Sequence, residues 1–325
     1  MIMDRNLALD LARVTEAAAL DAGRWVGKGD KISADAAATE AMRRTLDNLD
    51  ICGTVVIGEG EMDEAPMLYI GEKLGRGKDI EVDIAVDPLE GTTICSKGAN
   101  GSIATIALAP RGGFLHAPDM YMHKLVTGPA GIGVVDIQAS AEENIHRLAA
   151  AKGCQPQDLT VVVLDKPRHV DLIDEIRKSG ARCYMIPDGD VAAAIAAAVN
   201  DSGINMMIGT GGAPEGVLTA AAIKCLGGFM QGQLAFMNDE EHTRAEKMGI
   251  DDFDRIYSTE ELAQGDVFFA ATGVTNGDLV KGVRYFSNGA KTHTVVMRSQ
   301  SRTVRFIETQ HYFDHKPGFD STTTD

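Results

Sequence analysis

The fold of this 325-residue chain is indicated first by residues 80–92, which read Ile-Glu-Val-Asp-Ile-Ala-Val-Asp-Pro-Leu-Glu-Gly-Thr. Acidic and apolar residues alternate from Ile80 to Val86, as they do in a half-buried β-strand. Proline and glycine then force a turn, so Asp87 and Glu90 can converge with the Leu89 carbonyl and the Thr92 hydroxyl. Hard cations such as Mg²⁺ and Mn²⁺ prefer such oxygen ligands. This stretch therefore predicts a strand that ends in a metal site.

A plainer interpretation is that Asp87 only caps a turn, as an aspartate before proline often does. A second acidic loop argues against it. Residues 58–64 read Gly-Glu-Gly-Glu-Met-Asp-Glu and follow another predicted strand, Thr54–Ile57. Two acidic loops at strand ends are harder to explain as solvated surface than one.

The first half of the chain is predicted to be helices that cover a sheet. Apolar residues at helical spacing indicate a helix over Asn6–Val26, and a second helix is predicted to run to Leu49 with Ser33 as its N-cap. Besides Thr54–Ile57, the predicted strands are Ile80–Val86, Ile103–Ala109 and Gly113–Ala117.

From about residue 140 the pattern becomes a regular alternation, which implies parallel strands with crossover helices. The predicted elements are helix Ala141–Ala151, strand Leu159–Leu164, helix Val170–Ser179, strand Arg182–Ile186, helix Val191–Val199, strand Asn205–Ile208 and helix Val217–Leu226. Ligands of such sheets bind at the carboxyl ends of the strands. That rule points to three loops, Asp165–Arg168, Asp188–Asp190 and Thr210–Gly216.

The remaining residues predict strands Val267–Ala271, Thr294–Met297 and Thr303–Thr309. A polar tail over 316–325 is expected to be mobile. We expect two subdomains, 1–155 with most of the metal ligands and 156–315 with the three loops named above.

Composition excludes several classes of protein. The chain is 44% hydrophobic and 24% charged, with a net charge of −16, which argues against a nucleic-acid-binding surface. Carboxylates that hold a cation can still present a positive face to a phosphate. The sequence shows neither a signal peptide nor a membrane span, so we expect no membrane partner and a cytoplasmic protein.

Cysteine and histidine usage favours an oxygen-ligated metal. The five cysteines are odd in number and never form a Cys-x-x-Cys pair, which fits reduced thiols in a cytoplasm. They are Cys52, Cys95, Cys154, Cys183 and Cys225. The eight histidines show no His-Glu-x-x-His spacing.

Two further acids are ambiguous when considered alone. Asp35 and Glu215 each lie near a predicted helix start, where a carboxylate is favoured by the helix dipole. The glycine-rich residues before Glu215 match neither the dinucleotide-binding pattern nor the Lys-Ser/Thr phosphate loop.

Six motifs together resemble one family. They are Gly-Glu-Gly-Glu-Met-Asp-Glu-Ala-Pro-Met-Leu-Tyr-Ile-Gly-Glu (58–72), Asp-Pro-Leu-Glu-Gly-Thr (87–92), Ala-Pro-Asp-Met-Tyr-Met (117–122), Lys-Pro-Arg-His (166–169), Pro-Asp-Gly-Asp-Val-Ala-Ala (187–193) and Gly-Gly-Ala-Pro-Glu-Gly-Val (211–217). Their order and spacing resemble class II fructose-1,6-bisphosphatases over nearly the whole chain. The resemblance implies an α/β fold like that of lithium-sensitive and inositol-monophosphatase-like phosphatases, with stacked α-β-α-β-α layers and the active site between two subdomains.

The resemblance also implies roles for single residues. One metal would be held by Asp35 and Glu59, and another by Asp87, Glu90 and Glu215. Substrate contacts would come from Glu90, Gly91, Thr92, Tyr121, Lys166, Pro167, Arg168, Asp188, Gly189, Asp190 and Gly212. By analogy with the Thr–acid pair of lithium-sensitive phosphatases, Thr92 and Asp63 would orient the attacking water and help to remove its proton.

Two segments depart from some members of the family. The residues after Leu234 look shorter than in several relatives, which leaves the packing of the expected homo-oligomer, a dimer or tetramer, open. Residues 93–99 follow a less uniform part of the motif, which leaves the fine substrate preference open.

We therefore expect a phosphoric monoester hydrolase that uses Mn²⁺ or Mg²⁺ to remove the 1-phosphate of fructose 1,6-bisphosphate. An enzyme that also cleaves sedoheptulose 1,7-bisphosphate is the nearest alternative, because the two sugars differ mainly in length. An inositol-phosphate phosphatase fits the second-half loops less well. A non-catalytic sugar-phosphate sensor would be expected to lack some of the five acids, and a nicotinamide dehydrogenase would need Gly-x-Gly-x-x-Gly after an early strand.

Overall fold

The computed structural model describes residues 7–60, 67–77, 80–199, 202–236, 238–247 and 249–315. Within these residues the chain forms an eight-stranded and a six-stranded sheet, with helices between and outside them. None of the helices in this described part combines the length and the apolar character that crossing a bilayer requires.

The strands, in chain order, are β1 (Cys52–Ile57), β2 (Lys73–Leu74), β3 (Glu81–Glu90), β4 (Ile103–Pro110), β5 (Tyr121–Thr127), β6 (Thr160–Leu164), β7 (Arg182–Ile186), β8 (Met206–Gly212), β9 (Phe229–Ala235), β10 (Ile256–Ser258), β11 (Phe268–Gly273), β12 (Arg284–Phe286), β13 (Gly289–Arg298) and β14 (Thr303–Tyr312). The helices are α1 (Leu7–Gly23), α2 (Lys31–Leu46), α3 (Thr92–Lys97), α4 (Ala141–Lys152), α5 (Val170–Lys178), α6 (Asp190–Ala198), α7 (Ala213–Leu226), α8 (Asp239–Lys247) and α9 (Thr259–Leu262).

Each sheet mixes parallel and antiparallel strands. The first has the order β12-β13-β11-β4-β3-β1-β2, with β14 paired to the other side of β13. The second has the order β10-β9-β5-β8-β6-β7. In it β6 runs parallel to β7 and β8, as the alternation predicts, whereas β5 is antiparallel to β8 and β9.

The predicted α-β-α-β-α layering is confirmed. Helices α1 and α2 cover one face of the first sheet, and α6 and α7 lie between the two sheets. Helices α4 and α5 cover the outer face of the second sheet. Burial of these apolar faces is the main source of stability, at about 25 cal/mol per Å² of apolar surface.

The N-terminal boundary of α2 differs from the prediction. The helix begins at Lys31, and its N-cap is Asp30 rather than Ser33. The Asp30 carboxylate accepts a hydrogen bond from the Ser33 backbone N–H at 3.0 Å. Because a carboxylate caps as well as a hydroxyl does, the earlier residue takes the cap and Ser33 falls inside the first turn.

The strand predicted over Gly113–Ala117 is wrong. This segment makes a turn with a single bridge, between Phe114 and Ala263. The Gly113 N–H donates to the Pro110 carbonyl at 2.8 Å, and Gly112 has a φ of +75°. Both features turn the backbone, so the segment does not continue as a hydrogen-bonded strand.

The subdomain boundary near residue 155 stays a prediction. The sheets divide the chain differently, because β11 to β14 return to the sheet that contains β1 to β4. The second sheet takes its strands from the segment between these two groups. The predicted tail over 316–325 lies outside the described residues.

Candidate metal centre and substrate cavity

The irregular end of β3 places two carboxylates side by side. The pairing of β3 with β4 is interrupted between Asp87 and Glu90, and the Leu89 N–H donates to Asp87 Oδ1 at 3.1 Å. Gly91 follows with a φ of +78°, which suits glycine and allows α3 to start at Thr92. The turn predicted for residues 87–92 is therefore replaced by the irregular end of β3 and the start of α3, with Gly91 between them.

The third carboxylate of the cluster, Glu215, comes from the first turn of α7. A Cβ at Gly212 would lie 1.8 Å from Glu215 Oε2, so glycine at that position makes room for the carboxylate. Carboxylate oxygens of Asp87, Glu90 and Glu215 all lie within 4.8 Å of one another, an arrangement that can hold a metal ion.

One oxygen of this cluster lacks an internal partner. Among the described residues, no donor reaches the buried Oε2 of Glu215. A buried carboxylate oxygen without a donor is costly, because it has lost its hydration. A divalent cation in the cluster would remove that cost, so the donor set fits Mg²⁺ or Mn²⁺.

Asp35 and Glu59 form a second carboxylate pair in the same cavity. Asp35 lies in the first turns of α2, and Glu59 follows β1. Their carboxyl groups lie close enough to affect each other's pKa, and the charge of Glu215 acts on Glu59. The two predicted metal-ligand sets are therefore neighbours.

A cavity of about 350 Å³ connects these groups. Predicted site residues in its wall are Asp35, Glu59, Asp87, Glu90, Gly91, Thr92, Asp188 and Glu215. Apolar side chains such as Ile57, Val86 and Leu218 complete the wall. Acids separated by up to 180 positions in the chain are thus brought to one place.

The electrostatics of the cavity favour uptake of a cation. Burial, followed by the charge of Asp35, raises the pKa of Glu59 to about 8. Burial, followed by the charge of Asp190, raises the pKa of Glu90 to about 7. Burial also raises the pKa of Asp87 well above its usual value, and the charge of Glu90 adds to this. Like charges held together out of water need either protons or a cation.

The predicted sugar-phosphate loops follow the carboxyl ends of β6, β7 and β8 in the second sheet. Lys166 follows β6, and its Nζ lies 3.7 Å from Asp188 Oδ1 beyond β7. The Arg168 guanidinium lies 4.6 Å from the centre of the Tyr121 ring. It also donates to the Thr210 carbonyl, at 3.0 Å from Nε and 2.7 Å from Nη2.

Some predicted site residues do not line the cavity. Gly189 is the N-cap of α6 and Asp190 is its first residue. Asp190 is only 4% exposed, and its carboxylate forms an ion pair with Lys124. The residues that line the cavity also do not include Tyr121, Lys166, Pro167, Arg168 or Gly212. Asp63 lies outside the described residues. All of these assignments stay predictions.

Two residues with a place at the site were missed from the sequence. Asp119 lines the cavity, and its charge acts on Glu215. It lies inside the Ala-Pro-Asp-Met-Tyr-Met motif, which could have singled it out. Lys124 is fully buried in β5, and a lysine between His123 and Leu125 gives no local signal of burial.

Comparisons with known proteins point to one family. Residues 5–311 match the family described as "Bacterial fructose-1,6-bisphosphatase, glpX-encoded". The chain is 48% identical to the D-fructose 1,6-bisphosphatase class 2/sedoheptulose 1,7-bisphosphatase of Synechococcus sp. (strain JA-3-3Ab), over 96% of this chain and 97% of that protein. It is 46% identical to the protein of the same name from Microcystis aeruginosa (strain NIES-843 / IAM M-2473), over 96% and 98%.

Among solved structures, an inositol monophosphatase from Anabaena (Nostoc) sp. PCC 7120 matches 59% of this chain and 73% of its own, with 20% identity and a TM-score of 0.30.

Proposed function

The chain belongs to the glpX-encoded family of bacterial fructose-1,6-bisphosphatases, and we propose that its carboxylate cavity is where the 1-phosphate of fructose 1,6-bisphosphate is removed. Water supplies the oxygen that ends on the released phosphate. The sugar leaves as fructose 6-phosphate after its C1 oxygen takes up a proton. The observation that carries this proposal is the cluster of Asp87, Glu90 and Glu215, with oxygens within 4.8 Å of one another.

We propose that the metal is Mg²⁺ or Mn²⁺. Asp35 and Glu59 would hold one ion, and Asp87, Glu90 and Glu215 another. Bound there, divalent cations would neutralise the phosphoryl oxygens and lower the pKa of an attacking water. The oxygen-only donor set and the unpartnered Glu215 Oε2 support this assignment.

Thr92 is our candidate for orienting the attacking water. It is the first residue of α3 and lines the cavity directly after Gly91. A threonine hydroxyl is a poor base, but one that donates to a carboxylate can relay a proton. Asp63 is the proposed carboxylate, by analogy with the Thr–acid pair of lithium-sensitive phosphatases.

The phosphate that is not cleaved would bind near Lys166 and Arg168. Both cations follow β6 at the edge of the sheet where ligands of parallel strands gather. Tyr121 supports the Arg168 guanidinium, and Asp188 lies next to Lys166. The Asp188–Asp190 segment and Gly212 complete the proposed contacts to the sugar.

We also propose sedoheptulose 1,7-bisphosphate as a second substrate. The proteins that are 46–48% identical over nearly their full length carry both activities in their names. The longer sugar carries the same phosphate ester at one end. Its other phosphate lies further away, so the protein would have to bind it at a greater distance from the cavity. The proposed setting is the cytoplasm, and the proposed assembly is a homo-oligomer, a dimer or tetramer.

Phosphate release tests the function directly. We expect release from both bisphosphates with Mg²⁺ and with Mn²⁺, and reversible loss of turnover when EDTA removes the metal. Full turnover of metal-free protein in excess EDTA would overturn the metal assignment. No release from either bisphosphate with either cation would overturn the site assignment.

Arg168→Ala tests the position of the distal phosphate. A charge-assisted hydrogen bond contributes about 1.5–3 kcal/mol, so the Michaelis constant is expected to rise by about 10- to 100-fold. Arg177→Ala is the matched control, because Arg177 is exposed on α5. An unchanged Michaelis constant and turnover number for Arg168→Ala would show that this loop does not bind the substrate.

A further inference from the structure

Lys124 is a buried lysine next to the carboxylate cavity. The proposed chemistry gives this lysine no role. Its side chain is 0% exposed, and its Nζ lies 3.1 Å from Asp190 Oδ1 and 2.8 Å from Asp190 Oδ2. The Asp190 side chain is 4% exposed. Burying an ammonium group costs several kcal/mol unless it is paired, so this bidentate contact accounts for how Lys124 can be buried.

The glycines of the 211–217 motif make room for this ion pair. A Cβ at Gly211 would lie 2.0 Å from Asp190 Oδ2 and 3.1 Å from Lys124 Nζ. A Cβ at Gly216 would lie 3.5 Å from Lys124 Cε. The Lys124 side chain therefore passes beside the same short segment that carries Glu215.

Two acids compete for the charge of Lys124. The ammonium group acts on Glu215 and lowers its pKa, although burial, the larger effect, raises it. Asp190 takes both hydrogen bonds that are observed from Lys124 Nζ. Glu215 Oε2 meanwhile has no donor among the described residues. The charge of Lys124 therefore reaches a carboxylate that still has one oxygen without a donor among the described residues.

Asp190 is also coupled to another carboxylate of the cluster. It is the first residue of α6, and the next residue, Val191, donates its N–H to Glu90 Oε1 at 3.1 Å. The start of α6 thus fixes the Lys124 ammonium on one side and Glu90 on the other. The same helix start contacts both a metal-ligand candidate and an internal cation.

We propose that Asp190 is a positioning residue that tethers the Lys124 ammonium away from Glu215 and so reserves Glu215 for a divalent cation. Without the tether, Lys124 would act as an internal counter-ion and occupy the site. This inference rests on the proposed metal site. It gives Asp190 a role that does not depend on contact with the sugar.

Direct binding of Mn²⁺ to metal-free protein tests the tether. Asp190→Asn frees the ammonium, and we expect Mn²⁺ affinity measured by calorimetry or electron paramagnetic resonance to fall by about 10- to 100-fold, the range for lost supporting contacts at metal sites. The double variant Lys124→Met/Asp190→Asn has no internal cation, so its affinity is expected to return to within about threefold of the wild type.

Recovery in the double variant separates the tether from simple structural damage. Asp266→Asn is the matched control, because Asp266 is also paired with a buried cation, Arg298. It should bind Mn²⁺ as the wild type does. Wild-type affinity in Asp190→Asn would overturn the tether, and so would weak binding in a folded double variant. The second outcome decides the question even if Asp190→Asn alone does not fold.

The wild-type titration separates this inference from the proposed function. If wild-type protein binds no Mn²⁺, the metal site itself is wrong. If it binds Mn²⁺ and Asp190→Asn binds equally well, only the tether is wrong.

Discussion

Two groups of buried charges in this molecule are neutralised in different ways. The carboxylate cavity has no lysine or arginine among the described residues that line it. Burial raises the pKa values of Asp35, Glu59, Asp87, Glu90 and Glu215 there. At the carboxyl end of β13, Arg298 instead binds Asp266, at 3.1 Å from Nε and 2.6 Å from Nη2 to Oδ2.

The two groups differ in whether the protein itself supplies the opposite charge. The pair between Arg298 and Asp266 is balanced, and Ser299 and Gln300 also donate to Asp266. It needs nothing from solution. The carboxylate cavity is unbalanced, and since buried like charges are costly, it is the place where a cation belongs.

The largest effect is expected from Thr92→Val, which leaves the carboxylates in place and removes only the hydroxyl. Positioned proton transfer contributes about 10²–10⁴-fold in rate, so turnover should fall on that scale while Mn²⁺ affinity stays unchanged. Thr92→Ser keeps a hydroxyl and should retain more turnover than Thr92→Val. Equal turnover in the two variants would refute a role for the hydroxyl, and a trapped phosphoenzyme would refute direct attack by water.

Arg298→Met breaks the balanced pair. Removing one partner of a buried ion pair costs about 3–5 kcal/mol, and we expect the lower end because two donors to Asp266 remain. Denaturant unfolding should report this loss while Mn²⁺ affinity is unchanged.

The control for Arg298→Met is Arg76→Met. Arg76 forms an exposed ion pair with Asp50, at 52% and 63% side-chain exposure. Exposed pairs contribute about 0–1 kcal/mol, so this variant should unfold nearly as the wild type does. Equal losses in the two variants would mean that burial does not distinguish the pairs.

A smaller effect is expected from pH. Glu59 and Glu90 have pKa values raised from 4.5 to about 8 and about 7. The folded, metal-free protein therefore holds protons that the unfolded chain releases. That contribution to stability is fully present below pH 4.5 and is lost as pH rises through about 7 to 8.

Thermal unfolding with and without Mn²⁺ measures this linkage. Between pH 5 and pH 8 the midpoint of metal-free protein should fall. Saturating Mn²⁺ should reduce the fall, because the cation replaces the protons and binds more tightly as they leave. A metal-free midpoint that is the same at pH 5 and pH 8 would contradict the raised pKa values that burial and neighbouring charges give Glu59 and Glu90.

Local patterns were enough to predict much of the fold and part of the site. The alternation over Ile80–Val86 and the turn at 87–92 predicted β3 and its acidic end. They were not enough for β5, because Tyr121–Thr127 contains a histidine and a lysine that read as exposed, whereas Lys124 is buried by a partner 66 positions away.

Local patterns could not predict which residues that are distant in the sequence lie together in the fold. Asp35 and Glu215 each have an ordinary local explanation as first-turn acids, and only the folded chain shows them in one cavity wall. The motif resemblance supplied that grouping before the geometry did. For Asp190 the sugar contact that the motif implies stays a prediction, and the structure adds a buried ion pair with Lys124 that local sequence does not indicate.

The most direct test of the account is a Mn²⁺ titration of metal-free wild type and Glu215→Gln. Glutamine keeps the shape of the side chain and removes one charge of the cluster. We predict saturable binding to the wild type and an affinity at least about tenfold lower in Glu215→Gln. Glu261→Gln changes an exposed acid in a capping box and is the control that should bind Mn²⁺ as the wild type does. Equal Mn²⁺ affinity in the wild type and Glu215→Gln would contradict the claim that these buried carboxylates are held together for a cation.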